Sequence, residues 1–78
     1  MRDAARQKAL DTFGAALRSA RQQQGLTQTR LGGASGLGRA HISRIEHGRC
    51  APTFKTLMRL RHGLGSLADV FASCEDEM

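Results

Sequence analysis

The residues best suited to chemistry lie in one short segment, GLGRAHISRIEHGR, at positions 36–49. On a helix that turns about 100° per residue, Ile42 and Ile45 form an apolar side. The opposite side carries no carboxylate. Its side chains are short or flexible, and all but Ala40 can donate hydrogen bonds: Arg39, Ala40, Ser43, Arg44 and His47. A solvated helix normally mixes both charge signs. This row instead favours a DNA groove, because phosphates repel acids and an Arg fork matches guanine O6 and N7. A merely basic exposed helix is the alternative.

Catalytic and metal chemistry find little support in the same region. Cys50 with His47 is the one candidate nucleophile–base couple, and no third group or pocket is apparent in the sequence. Cys50 and Cys74 form no CxxC pair, and a closed zinc site would need four ligands. We therefore expect two free thiols, no metal, no cofactor and no enzymatic activity.

Length and composition limit the architecture. A chain of 78 residues suits one domain, and three Phe with no Trp or Tyr favour a helical core of aliphatic side chains. No apolar run approaches the roughly 20 residues that span a bilayer, and no secretion signal is apparent. The sequence therefore predicts a soluble, cytoplasmic protein that does not bind membranes.

Charge is distributed unevenly along the chain. Residues 1–65 hold all 12 Lys and Arg residues against three acids, whereas residues 66–78 hold four acids and no Lys or Arg. A basic body suggests a polyanion partner on one surface, and the acidic end suggests a different role there.

Periodicity and capping signals predict five helices. The first spans about Ala4–Gln24 and the second starts at the N-cap Thr27 and ends near 35–36. The third follows Gly38 and is closed by Gly48. The fourth opens at 52–53 and is ended by Gly63 and Gly65, and a short fifth follows a capping box at Ser66 and Asp69. We place one domain at 1–73, with a helix-turn-helix at about 27–47, and a frayed acidic tail at 74–78.

The turn between helices two and three contains glycines with geometric roles. Gly32 faces the turn side of helix two, where we expect a side chain larger than a methyl to hold the helices apart. Gly36 lies where the chain reverses, and a positive φ is expected there. Gly33 has no visible role and should soften helix two by about 1 kcal/mol relative to Ala.

The segment LTQTRLGGASGLGRAHISRIEHGRCAPTFKTLMRLRHGLG resembles the phage-repressor and Cro-like helix-turn-helix proteins, often called the Xre family. The likeness covers about Leu17–Phe71 and rests on GLTQ, Gly36, ISRIEHG and PTFKTLMRL. It implies an all-α fold, a compact five-helix lambda-repressor-like domain with a central helix-turn-helix. This sequence departs from the family pattern in three places: Gly38 replaces a usual Ser or Thr cap, Ser35 a usual apolar residue, and Gly32 a usual Ala.

The resemblance also implies roles for individual residues. Base edges would be contacted by Arg39, Ala40, Ser43 and Arg44. Gln28 matches a family glutamine that holds a phosphate and braces the recognition helix, and Arg49 lies in a backbone-contacting loop. We group Thr27 and His47 with these phosphate and positioning residues. Arg21 and Glu46 match an ion pair buried between helices one and three in some members.

The expected function is therefore a sequence-specific regulator of transcription, such as a repressor, that binds a palindromic double-stranded DNA operator as a homodimer. Phage repressor, antitoxin and restriction–modification controller remain open as subtypes. The alternative is a protein-interaction module of the same fold with weak or no DNA binding. We expect the dimer interface at the C-terminal helices, at Leu64, Leu67, Val70 and Phe71. Leu67 and Phe71 could instead close the core of their own subunit.

Overall fold

The computed structural model describes the backbone of residues 3–77 and the side chains of residues 3–74. Its elements are five helices: α1 Asp3–Gln23, α2 Gln28–Ser35, α3 Arg39–Glu46, α4 Phe54–Leu64 and α5 Ala68–Glu77. No strand occurs among the described residues. The predicted all-α five-helix fold is confirmed.

Local signals in the sequence fix where the helices begin and end. Thr27 Oγ1 accepts the amide of Arg30 at 3.1 Å, and Thr53 Oγ1 accepts the amide of Thr56 at 3.1 Å. Each hydroxyl thereby satisfies a free N–H in the first turn of α2 or α4. Gly36 ends α2 with φ +71°, in the left-handed region that favours glycine.

The core is built from one stripe of each helix. Its fully buried large side chains are Leu17, Leu31, Ile42, Ile45, Leu60 and Val70. α1 packs against α3 and α5, and α2 packs against α3 and α4. The helix-turn-helix of α2 and α3 is therefore held from behind by α1 and α4.

Two glycines allow backbones to approach closely. A Cβ at Gly14 would overlap the carbonyl oxygen of Ile45 and lie 2.6 Å from that of Glu46, so α1 crosses the end of α3 without a side chain between them. A Cβ at Gly32 would lie 2.6 Å from the Leu37 carbonyl oxygen. Even a methyl group therefore meets backbone at Gly32, a tighter limit than the sequence suggested.

The structure corrects the predicted end of α4. Gly63 lies inside the helix, which continues to Leu64 and ends at Gly65 with φ +86°. Gly63 is needed for packing, because a Cβ there would overlap Ser35 Oγ and lie 3.1 Å from Leu31 Cδ1. The glycine therefore lets α4 lie against α2.

Helix α5 extends into the acidic end of the chain. α5 begins after Ser66, whose Oγ accepts the Ala68 amide at 3.0 Å, and continues to Glu77. No Gly or Pro follows Gly65, so nothing in the sequence stops the helix. Met78, the last residue of the predicted tail, lies outside the described residues.

Three of the four residues expected at a dimer interface belong to the core. Leu64, Leu67 and Val70 are buried, and Val70 is fully inaccessible. The apolar side of α5, which the sequence suggested for a dimer contact, packs against α1 instead. Only Phe71 stays exposed, with its ring centroid 6.3 Å from that of Phe13. The core of the subunit itself therefore uses Leu64, Leu67 and Val70, which is the alternative considered for Leu67, and these side chains leave little surface for a contact between subunits.

Candidate nucleic-acid interface

The outward side of α3 carries the residues that the sequence singled out. Arg39, Ala40 and Arg44 are exposed and Ser43 is half-buried, while Ile42 and Ile45 on the opposite side are buried. Glu46, the sole carboxylate of the helix, is buried as well. The exposed surface of α3 therefore presents donors and positive charge without an acid.

His47 follows α3 and closes its end. Its Nδ1 lies 2.8 Å from the Ser43 carbonyl oxygen, which also accepts the His47 amide at 3.0 Å. A protonated Nδ1 would donate to that carbonyl, which leaves Nε2 as the free ring nitrogen. The imidazole lines a depression of about 150 Å³ together with Ser43, Arg44 and Arg49. Two guanidinium groups and an imidazole at one depression form a surface suited to an anion.

A buried ion pair fixes α3 to α1. Arg21 Nε donates to Glu46 Oε2 at 2.6 Å and Arg21 Nη2 donates to Glu46 Oε1 at 3.0 Å. The Arg21 and Glu46 side chains are only 10% and 1% exposed. Hydrogen bonding to Glu46 raises the pKa of Arg21, against the opposing effect of burial, and the charge of Glu46 raises it further. The guanidinium is therefore fully charged at neutral pH.

The same network reaches the start of α2. Arg21 Nη1 donates to the Leu26 carbonyl at 2.8 Å, and Gln28 Nε2 donates to Glu46 Oε1 at 3.1 Å. Gln28 is half-buried and Thr27 beside it is exposed. One carboxylate thus links the N-terminus of α2, the end of α3 and the last turn of α1.

Two further side chains position the interface and were not anticipated. Gln7 Nε2 donates to the Gly48 carbonyl at 2.9 Å, which holds the loop after α3 against α1. Arg59 Nη1 donates to the Gly36 carbonyl at 3.1 Å, which joins α4 to the turn. Both partners are backbone carbonyls distant in sequence, so no local pattern could have identified either contact.

The described part of the chain contains no metal-binding group, no disulfide and no membrane-spanning helix. No group of three or more His, Cys, Asp or Glu side chains that could hold a metal ion occurs there. Cys50 and Cys74 are both free and half-buried. The described residues also contain no helix long and apolar enough to cross a membrane.

Comparison with known proteins agrees with this geometry. A family model described as a helix-turn-helix domain matches residues 12–72. The ImmF control region 10 kDa protein of Bacillus phage phi105 is 40% identical over 48 residues, which is 62% of this chain and 53% of that protein. The chain thus spans about half the length of this phage relative.

Two solved structures are similar over nearly their whole length. The clp gene regulator ClgR of Corynebacterium glutamicum superimposes with a TM-score of 0.80 at 34% identity, covering 90% of this chain and 92% of that one. The restriction-modification controller protein C.AhdI of Aeromonas hydrophila gives a TM-score of 0.75 at 30% identity, covering 80% and 96%.

A helix-turn-helix in which α3 exposes donors and buries its acid is the arrangement expected of a DNA-binding domain. The chain belongs to the helix-turn-helix family, in the phage-repressor and Cro-like (Xre) group that the sequence resembles. The proteins that it is similar to are a phage control-region protein, a gene regulator and a restriction-modification controller.

Proposed function

We propose that the chain regulates transcription by inserting α3 into the major groove of a specific operator. The observation that supports this most is the division of α3 into two sides. Donors occupy its outward side, while its carboxylate is buried and paired with Arg21. An exposed acid would repel phosphate, so this arrangement removes the chief electrostatic obstacle to groove binding.

Within this proposal the outward residues of α3 contact base edges. Arg39 and Arg44 carry guanidinium forks suited to guanine, Ser43 can donate or accept, and Ala40 suits a thymine methyl group. All four lie on the exposed or half-exposed side of α3.

The flanking residues contact the sugar–phosphate backbone. Thr27 and Gln28 lie at the start of α2, where the helix dipole favours an anion. His47 and Arg49 line the cationic depression at the other end of α3. Such contacts fix the register of the protein on the duplex and carry no base preference.

We further propose that the chain acts as a homodimer on a palindromic operator. One helix-turn-helix covers one half-site, and strong specificity normally requires two half-sites about 34 Å apart. The similar structures are of a gene regulator and a restriction-modification controller, which supports an operator-binding role.

Selection of bound duplexes from a random DNA pool tests the function. We expect enrichment of a dyad motif. Arg44→Ala should then weaken binding to that motif by about 1–3 kcal/mol and relax preference at one base pair. Arg49→Ala should weaken cognate and scrambled duplexes about equally, since it removes a phosphate contact.

Arg18→Ala, an exposed arginine on α1, serves as the matched control and should leave the preference unchanged. Equal losses on cognate and scrambled duplexes for Arg44→Ala would contradict the base-reading role. If no sequence is enriched, the chain is a protein-interaction module of the same fold, and the operator proposal fails.

A further inference from the structure

His47 differs from the other residues of the cationic depression, because its charge can change near neutral pH. The depression of about 150 Å³ is lined by Ser43, Arg44, His47 and Arg49. An arginine stays positively charged throughout the physiological range, whereas a histidine side chain gains or loses a proton between about pH 5 and 8. The loop that contains Arg49 adds one further titratable group, the half-buried thiol of Cys50. His47 is exposed, so a proton reaches its ring without rearrangement of the fold.

The contacts of the imidazole ring determine which of its nitrogens is left for a ligand. Nδ1 of His47 lies 2.8 Å from the Ser43 carbonyl oxygen and 3.4 Å from Ser43 Oγ. A carbonyl oxygen can only accept a hydrogen bond, so the shorter contact requires a proton on Nδ1. In the neutral ring Nε2 then has a lone pair and no proton. Because phosphate oxygens are acceptors as well, the neutral ring offers a phosphate no donor.

Among the described side chains, no carboxylate hydrogen-bonds to the His47 ring. α3 packs against α1 and α2. Glu46 is paired with Arg21 of α1, and Asp11 of α1 lies beside the loop after α3, where its Oδ1 accepts a side-chain amide at 2.9 Å. α2 has a single charged residue, the exposed Arg30. The remaining charged residues of α1 are exposed: Asp3, Arg6, Lys8 and Arg18. A second N–H of the ring is therefore available to an anion from outside the subunit.

We propose that a DNA phosphate and a proton bind this depression together, with the proton on His47 Nε2. In the charged ring Nδ1–H still donates to the Ser43 carbonyl, and Nε2–H donates to a phosphate oxygen together with the Arg49 guanidinium, which lines the same depression. The proton comes from solvent, so the complex holds a proton that the neutral free ring lacks. By linkage, DNA affinity rises as the pH falls through the range in which a histidine titrates. The inference rests on the proposed DNA-binding function and adds a pH dependence to the same site.

A purely structural role of His47 makes a different prediction. His47 closes α3, and a positive charge at the C-terminal end of a helix interacts favourably with the helix dipole. Such a role would make the stability of the free protein depend on pH. It would not make DNA binding take up a proton, so a count of protons distinguishes the two roles.

Isothermal titration calorimetry in buffers of different ionisation enthalpy gives that count. The full chain is titrated with the duplex enriched from the random pool and with a scrambled duplex of the same length. We expect an uptake of about 0.5–1 proton per subunit at about pH 7. The uptake should be similar for both duplexes, because a phosphate contact carries no base preference. His47→Gln keeps a hydrogen-bond donor but cannot become charged, and should abolish the uptake. The matched control His62→Gln removes an exposed histidine of α4 and should retain it.

The salt dependence of binding provides an independent measurement. Each additional cation on a phosphate steepens the plot of log affinity against log salt concentration by about 0.9. The wild type should show this steeper slope, and an affinity roughly tenfold higher, at about pH 5.5 than at about pH 8.5. His47→Gln should have the same slope at both pH values. His47→Arg is always charged and should keep the steeper slope at both. Circular dichroism confirms that each variant is folded.

Each contrary outcome identifies what has failed. Equal proton uptake by the wild type and His47→Gln would overturn the assignment of the proton to His47, and its loss in His41→Gln would move the proton to the other histidine of α3. Specific binding by the wild type without any uptake would overturn the inference and leave the operator proposal intact. Uptake on random duplexes when no sequence is enriched would support the proton coupling and overturn the operator proposal alone.

Discussion

Removal of the Glu46 carboxylate should destabilise the domain more than almost any other single change. In Glu46→Ala the Arg21 guanidinium loses two hydrogen bonds, of 2.6 and 3.0 Å, while it stays only 10% exposed. Stranding one member of a buried ion pair costs about 3–5 kcal/mol. A domain of this size has a free energy of unfolding of roughly 4–12 kcal/mol. The variant should therefore lose between about a quarter and all of it.

Thermal unfolding followed by circular dichroism measures this effect. A loss of about 3–5 kcal/mol corresponds to a fall in Tm of roughly 12–40 °C for a small domain. Arg18→Met, which removes an exposed arginine from the same helix as Arg21, is the control and should change stability by less than about 0.5 kcal/mol.

A double-mutant cycle of Arg21→Met, Glu46→Leu and the two changes together separates the ion pair from simple loss of packing. Arg21→Met combined with Glu46→Leu removes both charges and should be more stable than Glu46→Ala, since no buried charge remains unpaired. The reasoning is refuted if Glu46→Ala melts within a few degrees of the wild type, or if the double variant loses the full sum of the single losses.

The raised pKa of Arg21 adds a pH condition. Folding raises the pKa of this group, so its charge stabilises the folded state. This stabilisation is complete at pH values below the pKa of the unfolded chain. It is lost as the pH rises through the pKa of the folded protein. For an arginine this window lies far above neutrality. The contribution of Arg21 should therefore be constant between about pH 6 and 9.

Three more predictions concern packing and thiol chemistry. In urea titrations Gly32→Ala should destabilise the domain by about 1–3 kcal/mol, because the new Cβ meets backbone. Gly33→Ala has open space around it and should stabilise the domain by about 0.5–1 kcal/mol. The reverse order of stability would contradict the contact at Gly32. Ser35→Ala should stabilise by about 1 kcal/mol, because its buried Oγ has no hydrogen-bond partner, and should reduce the cost of Gly63→Ala. Equal costs in both backgrounds would show no coupling. Burial raises the pKa of Cys74, so iodoacetamide should alkylate it more slowly than free cysteine at pH 7.5, as mass spectrometry would report.

Local features of the fold could be predicted from the sequence because their physics is local. Thr27 and Thr53 each satisfy an amide three residues away, and Gly36 adopts its positive φ within its own turn. The sides of α3 follow from helical periodicity alone, so the exposure of Arg44 and the burial of Ile42 could be anticipated.

Features that depend on how helices cross could not be predicted in this way. Gly14 looks like a helix-weakening residue until α1 is placed against the end of α3. Val70 looks like spare apolar surface, and Leu67 could serve either role, until α5 is docked on α1. Gln7 and Arg59 bind backbone carbonyls 41 and 23 positions away in the sequence. Every residue type has the same backbone carbonyl, so the sequence does not mark these partners.

The two sides of α3 have a consequence for how new specificities could arise. Ile42, Ile45 and Glu46 attach the helix to the domain, while Ala40 and Arg44 on the other side contribute to none of those attachments. Replacing the outward residues therefore leaves the scaffold intact. Outward α3 residues copied from another regulator should bring the operator preference of that regulator with them. Target choice can therefore diverge rapidly while the fold remains unchanged.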